Sequence, residues 1–352
     1  QRDAAHATLF PTHACAEQQA LAVGPQFEDL GILHSEGLRN QHCRLFEQGV
    51  EIVGDERKLT EVNTGILIAP TARLKRWLKA LSNDNEQREY YLTDVIAQAV
   101  AERCRVIAVE CSDSDETRGV NSKEQLAIVE RIAQRRVASE LMECGTTLAD
   151  PARIDVRGKV KVGAGVSIDV GCVFEGQVDL ADGVRIGAYC VLRNCSVGAG
   201  TELLPFSHLD GATIGAAARI GPYSRLRPGA HLSDEVHIGN FVEVKASTLG
   251  RASKANHLAY VGDATVGANV NIGAGTITAN YDGARKHQTV IGDNVSIGSN
   301  AVLVAPVTIG HGATIAGGST ISKNAPEGKL TVARARQTTL DGWKRPTKEK
   351  KG

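Results

Sequence analysis

The chain has 352 residues, enough for two domains that each bury a core. Forty lysines and arginines balance forty aspartates and glutamates, so the formal net charge is zero. No global field would draw such a chain to nucleic acid or to an anionic membrane, which favours a small-molecule ligand. Aromatic residues make up only 4% of the chain while glycine occupies 37 positions, a balance that predicts a narrow, turn-rich core.

The eight cysteines form no Cys-x-x-Cys pair, and their spread is typical of reduced thiols that serve as packing residues. No apolar run approaches the roughly 20 residues of a membrane-spanning helix, and no signal-peptide pattern opens the sequence. We therefore expect a cytoplasmic chain without membrane insertion and without nucleic-acid binding.

Residues 1–123 carry a mixed pattern that predicts a partial α/β region. Residues 1–58 show no clear periodicity. The apolar spacing of the remainder predicts four short elements, namely strand 64–69, helix 72–81, helix 92–103 and strand 105–109. Helical spacing over 124–143 then predicts a connecting helix, within a linker domain of 124–149.

From about Val160 onward, an apolar residue recurs every six positions, with occasional resets of one residue, as far as Ile321. The first unbroken series is Val162, Ile168, Phe174, Leu180, Ile186 and Leu192. A period of six fits neither a helix nor a simple alternating strand, and its length indicates a solenoid. Three short strands per coil, joined by glycine-rich turns, predict a left-handed parallel β-helix of hexapeptide repeats over 150–352.

The clearest interruption of the repeat lies between Thr278 and Ile291, where residues 279–288 form a polar segment. An insertion into a regular solenoid must leave the coil as a loop. Loops on rigid scaffolds are frequent functional sites, although a neutral insertion is an alternative. Beyond Ser322 the repeat ends, and a polar tail follows whose last residues are mostly lysines.

Two cations, Arg227 and Lys245, lie 18 residues apart without a reset between them. We expect them on successive coils, about 4.8 Å apart, and pointing outward because each follows an inward aliphatic, Leu226 or Val244. Stacked cations repel unless an anion joins them, so a bridging phosphate is one interpretation. Neutralisation by Glu243 and other surface carboxylates is the other, and the spacing leaves both open.

His257 lies in a segment where the hexapeptide signature lapses. An ordinary surface histidine is one interpretation of it. The other is a general base, because an imidazole can accept a proton from an ammonium at neutral pH. Acyl transfer to an amine needs that step, since a protonated nitrogen has no lone pair with which to attack a thioester.

Four stretches of the solenoid resemble the acetyltransferase motifs of a bacterial family, the bifunctional N-acetylglucosamine-1-phosphate uridyltransferase/glucosamine-1-phosphate N-acetyltransferases. They are IGPYSRLRPG (220–229), GNFVEVK (239–245), HLAYVGD (257–263) and NIGAGTITANYDG (271–283). The similarity runs from about Glu61 to Arg345. Together these motifs are highly specific, whereas a single hexapeptide is not.

The resemblance implies transfer of acetyl from acetyl-CoA to glucosamine-1-phosphate, for UDP-N-acetylglucosamine, peptidoglycan and lipopolysaccharide synthesis. It implies a homotrimer with acetyl-CoA sites between neighbouring β-helices, and His257 as the general base. The residues that would hold the sugar phosphate or contact the sugar are Arg227, Lys245, Lys286, Tyr260 and Asn271. Those that would contact acetyl-CoA or orient the amine are Ala274, Asn280, Tyr281, Ser299, Gly317 and Arg334.

Turn formation is the alternative interpretation for Asn280, Ser299 and Gly317. The family usually has alanine where Gly317 stands, and a contact through the backbone would survive that change.

The N-terminal region departs from the family pattern. The family's phosphate-binding loop, of the type Gly-x-Gly-Thr-Arg-Met, has no match in this sequence. Asn63 and Asn121 match sugar-nucleotide positions, and Asn121 also matches a Mg²⁺ position, but both would be vestigial without their partners. We therefore expect a truncated or degenerate uridyltransferase half, with Mg²⁺ required only if that half is active.

Three alternatives stay open at this point. The first is a bifunctional enzyme that retains uridyl transfer. The second is a zinc-dependent γ-type carbonic anhydrase, which shares the β-helix and binds metal through histidines, here His231, His237 and His257. The third is a non-catalytic scaffold that uses the solenoid only for assembly.

Overall fold

The structure, a computed structural model, describes residues 64–85, 87–107 and 113–346. The chain divides into two compact units, Gln1–Gly119 and Val120–Gly352. The described residues of the first unit form two α-helices and a 3₁₀ turn, which are α1 (Thr71–Lys79), α2 (Asp94–Ala101) and Ser114–Thr117. Trp77 of α1 packs against Val95 and Ala99 of α2 in a small core.

Both helices confirm the predicted ones to within two residues at each end, but the strand predicted over 64–69 is not formed. Its apolar side chains, Ile66 and Ile68, are 73% and 91% exposed. A strand requires a partner for its backbone groups, and no described segment pairs with this one. The described part of the second predicted strand, 105–107, is likewise irregular.

A 21-residue helix, α3 (Lys123–Glu143), lies near the start of the second unit. It begins with a capping box, in which Ser122 and Gln125 each accept a hydrogen bond from the other's backbone N–H. It ends at Gly145, whose φ of +88° supplies the left-handed residue that terminates many helices. The helix predicted over 124–143 is thus confirmed, one residue longer at its start.

Helix α3 covers the first coil of the solenoid. The side-chain amide of Gln134 donates to the carbonyl of Val156 at 2.9 Å and accepts from its N–H at 2.7 Å. Ala138 and Leu141 join the same apolar core as Ile154. The helix therefore satisfies a backbone edge that would otherwise be open to pairing with another chain.

Residues 147–331 form a left-handed parallel β-helix with three faces, as the six-residue repeat predicts. The first face is one ladder of eleven strands, which are β1 (Thr147–Leu148), β3 (Ser167–Ile168), β5 (Arg185–Ile186), β7 (Glu202–Leu203), β10 (Arg219–Ile220), β13 (His237–Asn240), β16 (Lys254–His257), β19 (Asn271–Ile272), β22 (Ser296–Ile297), β25 (Thr314–Ile315) and β27 (Leu330–Thr331).

The other two faces form one continuous sheet because three long strands bend across the corner between them, namely β2 (Ile154–Val162), β4 (Cys172–Leu180) and β6 (Val191–Val197). The second face continues with β8 (His208–Asp210), β11 (Arg225–Leu226), β14 (Glu243–Lys245), β17 (Tyr260–Gly262), β20 (Ile277–Ala279), β23 (Val302–Val304) and β26 (Thr320–Ile321). The third continues with β9 (Thr213–Ile214), β12 (Ala230–Leu232), β15 (Ser247–Leu249), β18 (Ala264–Val266), β21 (Thr289–Ile291) and β24 (Val307–Ile309).

Over most of the solenoid, partners on successive coils are 17 or 18 residues apart, as where Arg225 pairs with His208 below it and Glu243 above it. The step differs slightly at the two ends, where Thr147 pairs with Ser167 and Thr314 with Leu330. It is longest on the coil that holds residues 280–288, which leave the solenoid between β20 and β21. We call this segment the inserted loop. It confirms the predicted extrusion, and the ladder closes behind it because Ile277 pairs directly with Val302.

Three cysteines, Cys172, Cys190 and Cys195, are buried in the solenoid and are free thiols. Burial raises the pKa of Cys172 to about 11 and the pKa values of Cys190 and Cys195 to about 12. These thiols are therefore protonated at neutral pH and act as small apolar packing groups, as the sequence predicts.

Four exposed aromatic residues stack along one corner of the solenoid, and we call Tyr189, Phe206, Tyr223 and Phe241 the aromatic ladder. Successive ring centroids are 5.2, 4.9 and 5.5 Å apart. All four occupy left-handed turn positions, with φ of 59°, 62°, 55° and 57°, a conformation that is costly for bulky residues. We infer that ring stacking between coils offsets this cost.

We predict that Phe206→Ala lowers the melting temperature more than Phe241→Ala does. Phe206 stacks on two rings and Phe241 on one, and each stack contributes about 0.5–1.5 kcal/mol beyond area burial. Alanine keeps a Cβ at the left-handed position, so the comparison isolates the ring. Thermal unfolding followed by circular dichroism measures the difference, and equal shifts would show that stacking between coils adds nothing.

Candidate active site

Two of the predicted phosphate ligands lie one above the other on the second face. The ladder pairs Leu226 with Val244, and the backbone N–H of Arg227 donates to the carbonyl of Val244 at 2.8 Å. This register places Arg227 and Lys245 at the same position on successive coils, as their spacing predicts.

Lys286 joins them from the inserted loop, and we call Arg227, Lys245 and Lys286 the cation cluster. The nearby Lys286 side chain is the main cause of a lowered pKa at Lys245, and loss of water and the Arg227 guanidinium act in the same direction. The Asp263 carboxylate opposes the shift. Crowding thus disfavours the charge on Lys245, and an anion bound among the three groups would relieve the repulsion.

Glu243 neutralises part of this charge, as the alternative interpretation requires. It accepts a hydrogen bond from Arg227 at 2.7 Å and lies 3.9 Å from Arg225. Among the described residues, the three cations of the cluster therefore face two carboxylates, Glu243 and Asp263, and Glu243 is shared with Arg225. A positive excess is left for a ligand.

The inserted loop that carries Lys286 is an ordered hairpin in which Tyr281 pairs with Lys286. The carboxylate of Asp282 accepts hydrogen bonds at 2.6 Å from the backbone N–H of Arg285 and from Nε2 of His287. These bonds, that from Arg285 first, hold the pKa of Asp282 well below its usual range. The loop is thus pinned by a charged turn, which fixes the approach of Lys286.

Tyr260 lies above Glu243 on the second face and crosses over Gly262. A Cβ added to Gly262 would lie 2.4 Å from Tyr260 Oη, so glycine at this position leaves room for the tyrosine ring. The side-chain amide of Asn280 contacts Tyr260 Oη at 3.4 Å and also donates to the carboxylate of Asp263. These contacts link the predicted sugar ligand Tyr260 to the start of the inserted loop.

A second group of predicted residues forms a column at the corner after the first face, and we call His257, Ala274, Ser299 and Gly317 the corner column. The carbonyls of His257, Ala274 and Ser299 each accept a hydrogen bond from the coil above, at 3.3, 2.7 and 2.8 Å. With about 4.8 Å per coil, the column extends over about 14 Å. Residues far apart in sequence thus form one continuous strip.

His257 ends strand β16 with an exposed side chain. Its Nδ1 contacts Oδ1 of Asn240, one coil below, at 3.2 Å. A carbonyl oxygen only accepts, so Nδ1 donates in this contact, and in the neutral form of the ring Nε2 is then the nitrogen with the lone pair. The arrangement suits a base, and Asn240 is a contributor that sequence reasoning missed, although its spacing from His257 equals one coil.

Arg334 closes the upper end of the corner column, where its guanidinium donates to the carbonyl of Gly317 at 2.7 Å. This contact uses only the backbone of Gly317. A Cβ at that position would lie 3.2 Å from the carbonyl of Ser299, so alanine needs a shift of a few tenths of an ångström.

The sequence of this chain is similar to those of known proteins. The model named Bacterial transferase hexapeptide (six repeats) matches residues 288–323. The chain is 63% identical over 296 residues to the Bifunctional protein GlmU of Methylibium petroleiphilum and 61% identical over 298 residues to that of Aromatoleum aromaticum. Over this shared region the chain is similar to the bifunctional GlmU proteins.

The alignments cover 84% and 85% of this chain but 64% and 66% of the two GlmU relatives. The chain thus spans about two thirds of the length of the relatives it matches. A solved UDP-N-acetylglucosamine acyltransferase from Francisella novicida covers 49% of this chain and 67% of its own, with a TM-score of 0.31 and 20% identity, too low to inform fold or function.

Other residues that the GlmU resemblance singles out lie apart from these two groups. Asn271 is on the first face, in register with Lys254 and Ser296, whereas its expected partner Tyr260 is on the second. Tyr281 is exposed and donates its hydroxyl to the carbonyl of Gly283 at 2.6 Å.

Of the two nucleotide positions of the GlmU pattern, the structure describes Asn121. Asn121 lies just before α3, where its backbone N–H donates to Oε1 of Gln125 at 2.6 Å. Asn63 falls outside the described residues. In the described ranges, no three His, Cys, Asp or Glu side chains gather into a group that could hold a metal ion.

The carbonic anhydrase alternative would need His231, His237 and His257 together. The structure places His231 on the third face and the other two on the first, and within the described part of the chain they form no ligand group.

None of the helices that the structure describes has the length and apolarity needed to cross a membrane.

Proposed function

We propose that this chain transfers the acetyl group of acetyl-CoA to the amino group of glucosamine-1-phosphate, giving N-acetylglucosamine-1-phosphate. The observation that supports this most directly is the convergence of Arg227, Lys245 and Lys286 in a chain that is similar to GlmU. Tyr260, on the same face as Arg227 and Lys245, follows the proposed base His257 by three residues. The pathway of envelope precursor synthesis is part of the proposal.

The cation cluster would hold the sugar phosphate. A phosphate dianion placed among three cations forms charge-assisted hydrogen bonds, which are the strong ones. It would also raise the lowered pKa of Lys245 back toward its ordinary value, because an opposite charge favours the ammonium. Binding would thus convert a repulsive cluster into a paired one.

His257 would act as the general base. Its Nε2 lone pair accepts a proton from the substrate ammonium, and the freed nitrogen attacks the thioester carbonyl carbon. The new N–C bond forms as the C–S bond breaks, and the nitrogen gives up a second proton. One of the two protons passes to the departing sulfur to give the free CoA thiol, and the other is released to water. No other reactant is needed for the balance of this step.

The corner column would carry acetyl-CoA. Its small side chains at Ala274 and Gly317 leave a strip along which an extended ligand can lie over several coils. Arg334 donates one N–H to the carbonyl of Gly317, and its other N–H groups can donate to an anionic group. We therefore place the phosphates of acetyl-CoA toward Arg334 and its thioester toward His257.

We predict a homotrimer in solution, because Asn271 lies on a different face from Tyr260 within one chain and would reach the sugar only from a neighbouring copy. Light scattering of the purified chain gives the mass. A monomer that is fully active in acetyl transfer would contradict this prediction.

The direct test is an assay of thiol release from acetyl-CoA with glucosamine-1-phosphate, and with unphosphorylated glucosamine as comparator. We expect turnover with the phosphate ester and a far higher KM without the phosphate. Failure to turn over glucosamine-1-phosphate, in a preparation that is folded by circular dichroism, would refute the proposed function.

A further inference from the structure

Asp263 lies at the centre of the polar contacts beside the cation cluster, in the turn that follows β17. Its carboxylate accepts a hydrogen bond from the side-chain amide of Asn280. Its backbone N–H donates to the carbonyl of Lys245 at 3.1 Å, and its own carbonyl accepts from the N–H of Thr289 at 3.2 Å. Asp263 therefore touches both ends of the inserted loop and the coil that carries Lys245.

The contact with Asp263 fixes which way the Asn280 amide points. A carboxylate can only accept, so the NH₂ group of Asn280 must face it, and the carbonyl Oδ1 is turned to the other side. The same NH₂ group contacts Tyr260 Oη at 3.4 Å. In that weaker contact the tyrosine oxygen accepts, which leaves the phenolic proton of Tyr260 for another partner.

We propose that Asp263 is a positioning residue of the acetyltransferase site, which fixes Asn280 so that an amino sugar meets a carbonyl acceptor from Asn280 and a hydroxyl donor from Tyr260. This rests on the proposed function. An amino sugar offers N–H donors at its nitrogen and hydroxyl oxygens that accept, so the polarity set by Asp263 matches it. The reverse amide orientation would present a donor to the nitrogen.

A carboxylate is a costly choice beside a phosphate site, because it repels the anion that the cation cluster attracts. An asparagine at this position has the same shape without the charge, but it has both a donor and an acceptor and no longer dictates the Asn280 orientation. The two effects separate kinetically. Loss of repulsion does not raise the KM for the sugar phosphate, whereas loss of orientation lowers kcat.

We therefore expect Asp263→Asn to lower kcat about tenfold without raising the KM for glucosamine-1-phosphate, a split that a general loss of structure would not give. The effect acts through Asn280. In an Asn280→Ala background, Asp263→Asn lowers kcat by less than about twofold. Asp182→Asn is the control for the loss of a carboxylate in a solenoid turn, because Asp182 lies outside the site and its carboxylate accepts from the backbone N–H of Ala164 at 2.8 Å.

The measurements are steady-state kinetics and melting temperatures of the four chains of the cycle and the control. Wild-type kcat in Asp263→Asn, or effects of Asp263→Asn and Asn280→Ala that multiply, overturn the assignment of Asp263 alone. A wild-type chain inactive toward glucosamine-1-phosphate overturns the proposed function before any variant is compared. Should Asp263→Asn fail to fold, Asp263→Glu tests the same point, since it keeps the charge but displaces the oxygens, and undiminished kcat there counts against the assignment.

Discussion

His257→Ala is expected to lower kcat for acetyl transfer by about 10²- to 10⁴-fold, the usual contribution of a general base. The side chain is exposed at the corner of the solenoid, outside the core, so its removal should leave the fold intact. Without it, the substrate nitrogen keeps its proton and has no lone pair for the thioester. Steady-state kinetics at saturating substrates measure the loss, and circular dichroism confirms the fold.

His231→Ala is the matched control, since His231 is another exposed histidine of the solenoid but lies on the third face. We expect wild-type kcat from it. Added imidazole should restore part of the activity of His257→Ala, because a free base can occupy the vacated position. If His257→Ala kept near-normal kcat across neutral pH, the base would have to be sought elsewhere.

The solenoid was predictable because its periodicity is a direct image of its geometry. Each inward aliphatic, such as Leu226 or Val244, must recur once per face to fill a narrow prism, and the chain can vary that step only slightly without leaving the coil. The inserted loop was visible for the same reason, as the place where the step fails. The connecting helix followed from the helical spacing of its apolar residues, and the structure adds the capping box that Ser122 and Gln125 form at its start.

The strand expected over 64–69 shows that a local sequence pattern alone does not predict whether a strand forms. The apolar run from Ile66 to Ala69 satisfies the propensity of a strand, but pairing depends on a partner that is distant in sequence. Ile66 and Ile68 meet no such partner among the described residues and are exposed. The helices beside it were predicted well because their hydrogen bonds are internal.

The candidate site likewise contains some contacts that the sequence predicts and others that it does not. The stack of Arg227 on Lys245 followed from spacing along a regular coil, and the 17-residue step from Asn240 to His257 could have been found by the same count. The approach of Lys286 and the contact between Asp263 and Asn280 depend on the path of the inserted loop, which has no period. Resemblance to the GlmU family supplied the first of these, and only the structure shows the second.

Arg227→Ala is expected to raise the KM for glucosamine-1-phosphate by about 10- to 100-fold with little change in kcat. A hydrogen bond to a charged group contributes about 1.5–3 kcal/mol, and about 1.4 kcal/mol corresponds to tenfold in affinity. The variant also leaves Glu243 without the guanidinium that it bonds at 2.7 Å, so a free carboxylate would face the phosphate. The measurement is a titration of the sugar phosphate at saturating acetyl-CoA.

Arg225→Ala separates the phosphate role from the ion pair. Arg225 is two residues away on the same face and also lies near Glu243, at 3.9 Å, but it is not among the groups that shift the pKa of Lys245. Its loss should leave the KM for the sugar phosphate near the wild-type value. Adding Glu243→Gln to Arg227→Ala should recover part of the lost affinity, because the unpaired carboxylate is then neutral.

These variants decide between the two interpretations that the spacing of Arg227 and Lys245 left open. If Arg227 serves mainly to pair Glu243, Arg227→Ala lowers the melting temperature and leaves the KM for glucosamine-1-phosphate unchanged. If it holds the phosphate, the KM rises and the rise is absent for unphosphorylated glucosamine. The fold-rise also shrinks at high salt, because screening weakens the attraction between Arg227 and the phosphate that only the wild type has. The second outcome is the one we expect, because the cluster keeps a positive excess after Glu243 and Asp263 are counted.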